Sequence, residues 1–96
     1  MTRESTIEKG LIRECKKLNW LCYKFTSPGR RSVPDRIVFK TNGQIFFVEL
    51  KAPGKEESKN QFREQKKLRD QGCVVYSTID SLEKIKELIE LELYTS

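Results

Sequence analysis

The sequence predicts an α/β fold on a mixed sheet, with elements in the order αβββαβα. Three observations carry this. Apolar residues recur at helical spacing near both ends and frame a long polar helix after residue 58. Four short runs rich in Val, Ile, Phe and Tyr read as strands. The helix between the third and fourth runs lets the last strand return by a crossover beside an earlier one, so the sheet is mixed. At 96 residues the chain is expected to form one domain, residues 1–96, with one core.

The first helix runs from Glu4 to Leu18, where Ile7, Leu11, Cys15 and Leu18 recur at helical spacing and Ser5 or Thr2 is a candidate cap. At about 100° per residue, Glu8 falls in the arc of Leu11, Ile12 and Cys15 and points to the core edge. Glu4 lies one turn earlier in a similar direction, so the choice between them rests on depth, and a solvated helix carboxylate is the plain alternative. "WLCYKF", Trp20 to Phe25, reads as an aromatic strand, followed by the basic turn-rich loop Thr26 to Ser32, whose Arg30 and Arg31 are placed to meet phosphate. In "DRIVFK", Asp35, Ile37 and Phe39 share one face and Arg36, Val38 and Lys40 the other. Thr41 to Gly43 supplies a turn, and "QIFFVELKA" returns as the third strand. A basic, polar helix spans Ser58 to Gln71 and closes at Gly72. Cys73 to Ile79 is the fourth strand, and Ser81 caps a last helix carrying Leu82, Ile85, Leu88 and Ile89.

Composition narrows the chemistry. With 36% hydrophobic and 34% charged residues the chain can fill a core, and no window approaches the roughly 20 apolar residues of a membrane span, so a soluble globular protein is expected. Nineteen Lys and Arg against 14 acids give a net charge of +5, which favours a polyanionic partner such as nucleic acid. Three cysteines, Cys15, Cys22 and Cys73, show no C-x-x-C spacing and no secretory signal precedes them, which points to a reducing cytoplasm. The absence of histidine removes Ser/His/Asp and Cys/His schemes, His-ligated zinc and imidazole acid–base catalysis. What remains is carboxylate, lysine and a hard metal.

Two carboxylates, Asp35 and Glu49, and Lys51 sit in or beside strands that otherwise read as buried, where unpaired charge is costly. Turn length decides whether they meet. A two-residue Asn42-Gly43 turn would set Asp35 opposite Leu50, leaving the carboxylates on opposite faces. A three-residue loop, with Gly43 in the left-handed position, sets Lys40 opposite Gln44 and Asp35 opposite Glu49, with Lys51 on Glu49's face. This register is expected. Carboxylates within about 5 Å across a strand pair repel unless a cation lies between them, and oxygen donors of this kind suit Mg²⁺ or Mn²⁺. The alternative is a structural salt bridge in which Lys51 or Arg36 neutralises the acids.

"VPD" at Val33 to Asp35, followed by "VELKAPG" at Val48 to Gly54, resembles the PD-(D/E)XK nuclease signature, and more narrowly the stand-alone VRR-NUC (virus-type replication-repair nuclease) domain. The likeness spans nearly the whole chain: the glutamate in "IEKGLI", the S-x-P-D element after a basic loop, the E-L-K strand, and Gln61 in "SKNQF". Glu14-Cys15-Lys16, Glu57-Ser58-Lys59 and Glu64-Gln65-Lys66 also match E-x-K, but on helices or a polar lead-in, where positions i and i+2 diverge by about 200°. One departure is Ser32, where the family usually has glycine before V-P-D.

The resemblance implies a restriction-endonuclease-like core and a Mg²⁺- or Mn²⁺-dependent DNA endonuclease, homodimeric and acting on branched DNA such as Holliday junctions. Asp35 and Glu49, with the Leu50 carbonyl, would hold the metal. Lys51 would position water and stabilise charge on the phosphate. Glu8 would complete the site directly, through water or at a second metal. Gln61 would orient Lys51 or a phosphate oxygen, with Gln65 the alternative. Backbone contacts would come from Arg30, Arg31, Lys55, Lys59, Arg63, Lys66 and Lys67, although a solvated helix face accounts for the last four too. No exposed aromatic series suggests base-specific reading. Trp20, Tyr23 and the last helix are the candidate dimer interface, and a phage, prophage or bacterial host is the implied setting. A non-catalytic nucleic-acid-binding module of the same fold and a protein-interaction domain are the competing readings.

Overall fold

The computed structural model describes residues 3–95. Its elements are α1 (Glu4–Lys17), β1 (Leu21–Lys24), β2 (Arg36–Phe39), β3 (Ile45–Leu50), α2 (Lys59–Asp70), β4 (Val74–Ile79) and α3 (Leu82–Tyr94). The order αβββαβα is the expected one. The four strands form one sheet in the order β1-β2-β3-β4, antiparallel in the first two pairs and parallel between β3 and β4. Among the described residues no helix is long and apolar enough to cross a membrane.

Local chemistry explains where the helices stop. In α1 the chain turns at Asn19, whose φ of 60° is in the left-handed region, and the Asn19 and Trp20 amides donate to the Lys16 and Cys15 carbonyls. Gly72, with φ 90°, does the same for α2: its amide donates to Arg69 and that of Cys73 to Leu68. Ser58 opens α2 with a capping box, its Oγ accepting from the Gln61 amide while Gln61 Oε1 accepts from the Ser58 amide. Ser81 Oγ accepts from the Lys84 amide at the start of α3. The start of α1 differs from expectation. Arg3 holds the cap position without a side-chain bond, Ser5 lies inside the helix, and Thr2 falls outside the described residues.

α1 and α3 pack together on one face of the sheet and α2 lies against β4. Ile7, Leu11 and Cys15 from α1, Val38, Phe46, Val48, Leu50 and Ile79 from the sheet, and Ile85, Leu88 and Ile89 from α3 form the core. Gly10 permits the close helix contact, since a Cβ there would lie 2.5 Å from Leu82 Cδ2. Trp20, a candidate interface residue from its apolar excess, is instead a core residue: 8% exposed, edge-on to Phe46 with ring centroids 6.0 Å apart.

At the turn end of β2 and β3 the fold buries a charge. Lys40 is 5% exposed; its ammonium pairs with Glu92 at 2.9 Å, donates to the Glu92 and Thr95 carbonyls at 2.8 and 3.1 Å, and lies 5.7 Å from the Trp20 ring centroid. The Tyr76 hydroxyl donates to the other Glu92 oxygen at 2.6 Å, and burial, then this carboxylate, push the phenol pKa upward.

Candidate active site

The turn sets the site. Gly43 has φ 87°, its amide donates to the Lys40 carbonyl at 3.0 Å, and the Lys40 amide donates to the Gln44 carbonyl at 2.8 Å. This is the three-residue turn, with glycine where a left-handed residue is needed. Arg36 pairs with Val48, Ile37 with Phe47, Val38 with Phe46 and Phe39 with Ile45. Continuing that count sets Asp35 opposite Glu49, the register that the turn chemistry predicts.

Glu49 is 2% exposed. Its Oε1 accepts from Gln61 Nε2 at 3.1 Å, while Oε2 is buried with no hydrogen-bond partner. Burial, then the charge and hydrogen bonding of Asp35, push the Glu49 pKa up to about 8, with Lys51 pulling the other way. Asp35 is fixed by the Leu50 amide, which donates to its Oδ2 at 2.8 Å, and by its own carbonyl, which accepts from the Phe25 amide at 2.9 Å. Lys51 is half-buried; its amide donates to the Ile79 carbonyl at 3.0 Å, and among the described residues it makes no salt bridge. The acids are therefore not neutralised by a built-in ion pair.

Of the two helix glutamates, Glu8 bonds Arg36 Nε at 2.9 Å. Glu4 is exposed, but its pKa is raised, first by partial burial and then by the charges of Asp35 and, less, Glu8, against the pull of Lys51. Glu4 thus feels the charge of Asp35 and Lys51, whereas Glu8 is held by a cation of β2 and reaches the acidic pair only as the neighbour of Glu4. Gln65, one turn beyond Gln61, is fully buried with neither amide atom partnered.

A feature the sequence did not announce lies on the other side of Glu49. Val48 pairs with Tyr76 but Leu50 with Ile79, so β4 carries one extra residue opposite Glu49. Thr78 takes up that bulge with φ 55°, uncommon for a β-branched residue. Glu57, in the lead-in to α2, clamps it: Oε1 accepts from the Thr78 amide at 2.8 Å and from its hydroxyl at 3.1 Å. Glu57 Oε2 is buried without a partner, and its charge adds to the upward pressure on Glu49.

The basic residues divide into two sets. Arg30 makes a two-pronged bond to Glu64 at 3.0 and 2.7 Å, which with Lys67 holds the Glu64 pKa down to about 2, and Lys66 pairs with Asp70 at 2.9 Å. Arg31, Lys55, Lys59 and Arg63 are exposed and make no salt bridge among the described residues. Arg31, Ser32, Asn60, Arg63, Glu64 and Lys67 line a recess of about 220 Å³. Ser32, at the family's glycine position, has φ 66°, a conformation glycine adopts at no steric cost.

No family model matches the sequence. The chain is similar to a protein described as "Putative nuclease p44" from Acyrthosiphon pisum secondary endosymbiont phage 1, 52% identical over 68 residues that cover 71% of this chain and 73% of that protein. A solved structure described as a VRR_NUC domain matches the fold with a TM-score of 0.85 at 30% identity, covering 94% of this chain and 97% of that one. The chain belongs to the VRR-NUC family. Within this VRR-NUC fold the groups that could hold a metal are hard oxygens: the Glu49 and Asp35 carboxylates and the Leu50 carbonyl. Among the described residues no three His, Cys, Asp or Glu side chains form a metal-binding group. A two-carboxylate set suits Mg²⁺, which keeps several waters when bound, and the partnerless Glu49 Oε2 is an oxygen that a cation would satisfy.

Proposed function

We propose that the protein is a divalent-metal-dependent endonuclease that hydrolyses DNA phosphodiester bonds, acting as a homodimer on branched structures such as four-way junctions. The observation that carries this reading is the buried, partnerless Glu49 oxygen beside Asp35, in a chain of a nuclease family. Asp35, Glu49 and the Leu50 carbonyl would hold Mg²⁺ or Mn²⁺, completed by Glu8 or Glu4. The chemistry supplied by such an ion would be polarisation of the scissile phosphate and a lowered pKa of an attacking water.

The protein's own groups do the rest. Gln61 engages Glu49 Oε1 and leaves Oε2 as the oxygen that would be free to meet a cation. Lys51, held by its backbone bond to β4 and unpaired with either acid, stabilises charge developing on the phosphate. Arg31, Lys55, Lys59 and Arg63 meet the DNA backbone directly, whereas Arg30 and Lys66 exchange Glu64 and Asp70 for phosphate. Symmetric cutting of two strands needs two sites related by a two-fold axis; Tyr23 on edge strand β1 and Leu91, Leu93 and Tyr94 near the end of α3 supply exposed apolar surface for a second copy. The phage origin of that relative supports a phage or bacterial-host setting for this activity.

The test is cleavage of a labelled four-way junction and a matched linear duplex with Mg²⁺, Mn²⁺ or EDTA, comparing wild type with Glu49→Ala. Metal-dependent cutting lost in the variant is the expected result. Salt-sensitive binding by pure wild type without cutting under either metal would overturn the nuclease reading in favour of a silent binding module.

A further inference from the structure

Phe62 is 56% exposed. It is an apolar ring on a helix whose other outward residues include Lys59, Asn60, Arg63, Lys66 and Lys67, while Gln61, Gln65 and Leu68 turn toward the sheet. At about 100° per residue, Lys59, Phe62 and Lys66 fall within an arc of about 60°, so the ring stands in a basic stripe. The large exposed side chains elsewhere have a different setting: Leu91 and Tyr94 adjoin Glu87 and Glu90, and Leu21 and Tyr23 lie on the edge strand. Phe62 alone among them combines a flat apolar face with flanking cations on its own helix. Its chain neighbour Gln61 bonds Glu49, so the ring stands on the helix, and beside the residue, that contacts the acidic pair.

We infer that Phe62 is a stacking platform for an unpaired DNA base, with Lys59 and Lys66 holding the backbone of the same strand, and that it selects DNA offering an unstacked base near the cut. This rests on the nuclease reading above. A base inside an intact duplex has both faces covered by its neighbours and cannot use the ring. A base at a branch point or in a flap has a face free, every base has such a face, and the preference is therefore for structure rather than sequence. Lys59 supplies charge complementarity to the phosphates on either side; Lys66 does so on release from Asp70.

The experiment uses branched and linear DNA carrying the fluorescent base analogue aminopurine, unpaired at the branch in one and paired in the other. The full chain binds in EDTA, so no cutting is required. Wild type is expected to quench the unpaired analogue; Phe62→Ala and Phe62→Leu lose the quenching, and Phe62→Tyr keeps it. The ratio of affinities for branched and linear DNA is expected to fall roughly five- to a hundredfold in the alanine and leucine variants, the worth of one stacked base. The leucine variant keeps apolar bulk, so its loss separates stacking from general contact. Unchanged quenching in both variants, an equal loss on both DNAs, or a shift from dimer to monomer in light scattering would overturn the inference, the last by assigning Phe62 to a protein contact. The two readings fail separately: quenching without cutting by wild type in metal removes the nuclease and leaves the platform, and cutting with unchanged branch preference in Phe62→Ala does the reverse.

Discussion

Glu49→Gln isolates the strain in the acidic pair. The Glu49 pKa in the metal-free protein is about 8, against an ordinary 4.5. Below pH 4.5 the carboxyl is protonated whether the chain is folded or not, and it contributes no pH dependence. Between 4.5 and 8 the unfolded chain releases the proton and the folded one keeps it, so the folded state binds more protons and stability falls as pH rises. Each tenfold in proton affinity is worth about 1.4 kcal/mol, which sets an upper figure of about 5 kcal/mol across the window. That is a large share of the roughly 5–15 kcal/mol a domain of this size possesses, and even 2 kcal/mol moves Tm by about 8–16 °C.

The assay is thermal unfolding of wild type and Glu49→Gln in EDTA at intervals from pH 5 to 8. Gln is neutral throughout and keeps an acceptor for Gln61, so its Tm lacks this component and the gap between the two proteins widens in the variant's favour toward pH 8. Mg²⁺ is expected to raise the wild-type Tm, most at the alkaline end where the carboxylate is ionised, and to leave the variant nearly unchanged. A wild-type Tm that is flat or rising relative to the variant over this range would refute the reasoning, because the pair would then be satisfied by Lys51 as a structural salt bridge.

Glu57→Ala strips the acceptor from the Thr78 amide and hydroxyl; chemical denaturation is expected to show a loss of about 1–3 kcal/mol, and junction cleavage should slow because the bulge opposite Glu49 loosens. Ser32→Gly relieves a left-handed backbone at φ 66° and is expected to raise stability by up to about 1 kcal/mol in the same measurement. Lys40→Met leaves Glu92 buried without its cation, and a loss of about 3–5 kcal/mol is expected in equilibrium unfolding at pH 7.

The hairpin register was legible because its determinants are local: Thr41-Asn42-Gly43 demands a left-handed residue, and one more residue in the turn moves Asp35 from opposite Leu50 to opposite Glu49. The Ser81 cap and the close of α2 at Gly72 were legible for the same reason. The partition between Glu4 and Glu8 was not, because it depends on Arg36 emerging across the helix from β2 to bond Glu8. Trp20 has the same apolar excess whether it faces core or partner, and only the packing of α1 over the sheet separates the two. The Thr78 bulge had no sequence signal, since a β-branched residue is a poor choice for φ 55° and is held there by Glu57 from a distant segment. Phe62 did leave a signal: once Gln61 and Leu68 are assigned inward, its helical position falls on the basic side.

The same pair of strands shows how this fold treats a buried carboxylate when the carboxylate is structural. At the turn end Glu92 receives the Lys40 ammonium on one oxygen and the Tyr76 hydroxyl on the other, so both are satisfied within the chain. At the far end Glu49 receives one amide hydrogen from Gln61 on Oε1; Oε2 has no donor, and Asp35 opposes it with like charge. A lysine stands two residues away without closing on either acid. An alkyl chain in place of Glu49 would cost the sheet nothing in charge and would relieve Asp35, so stability does not account for the glutamate. A divalent cation would, because above the Glu49 pKa of about 8, where the proton held beside Asp35 has left, it would satisfy the open oxygen and the opposed carboxylate together, and the deficit left in its absence is the one the Glu49→Gln titration reads.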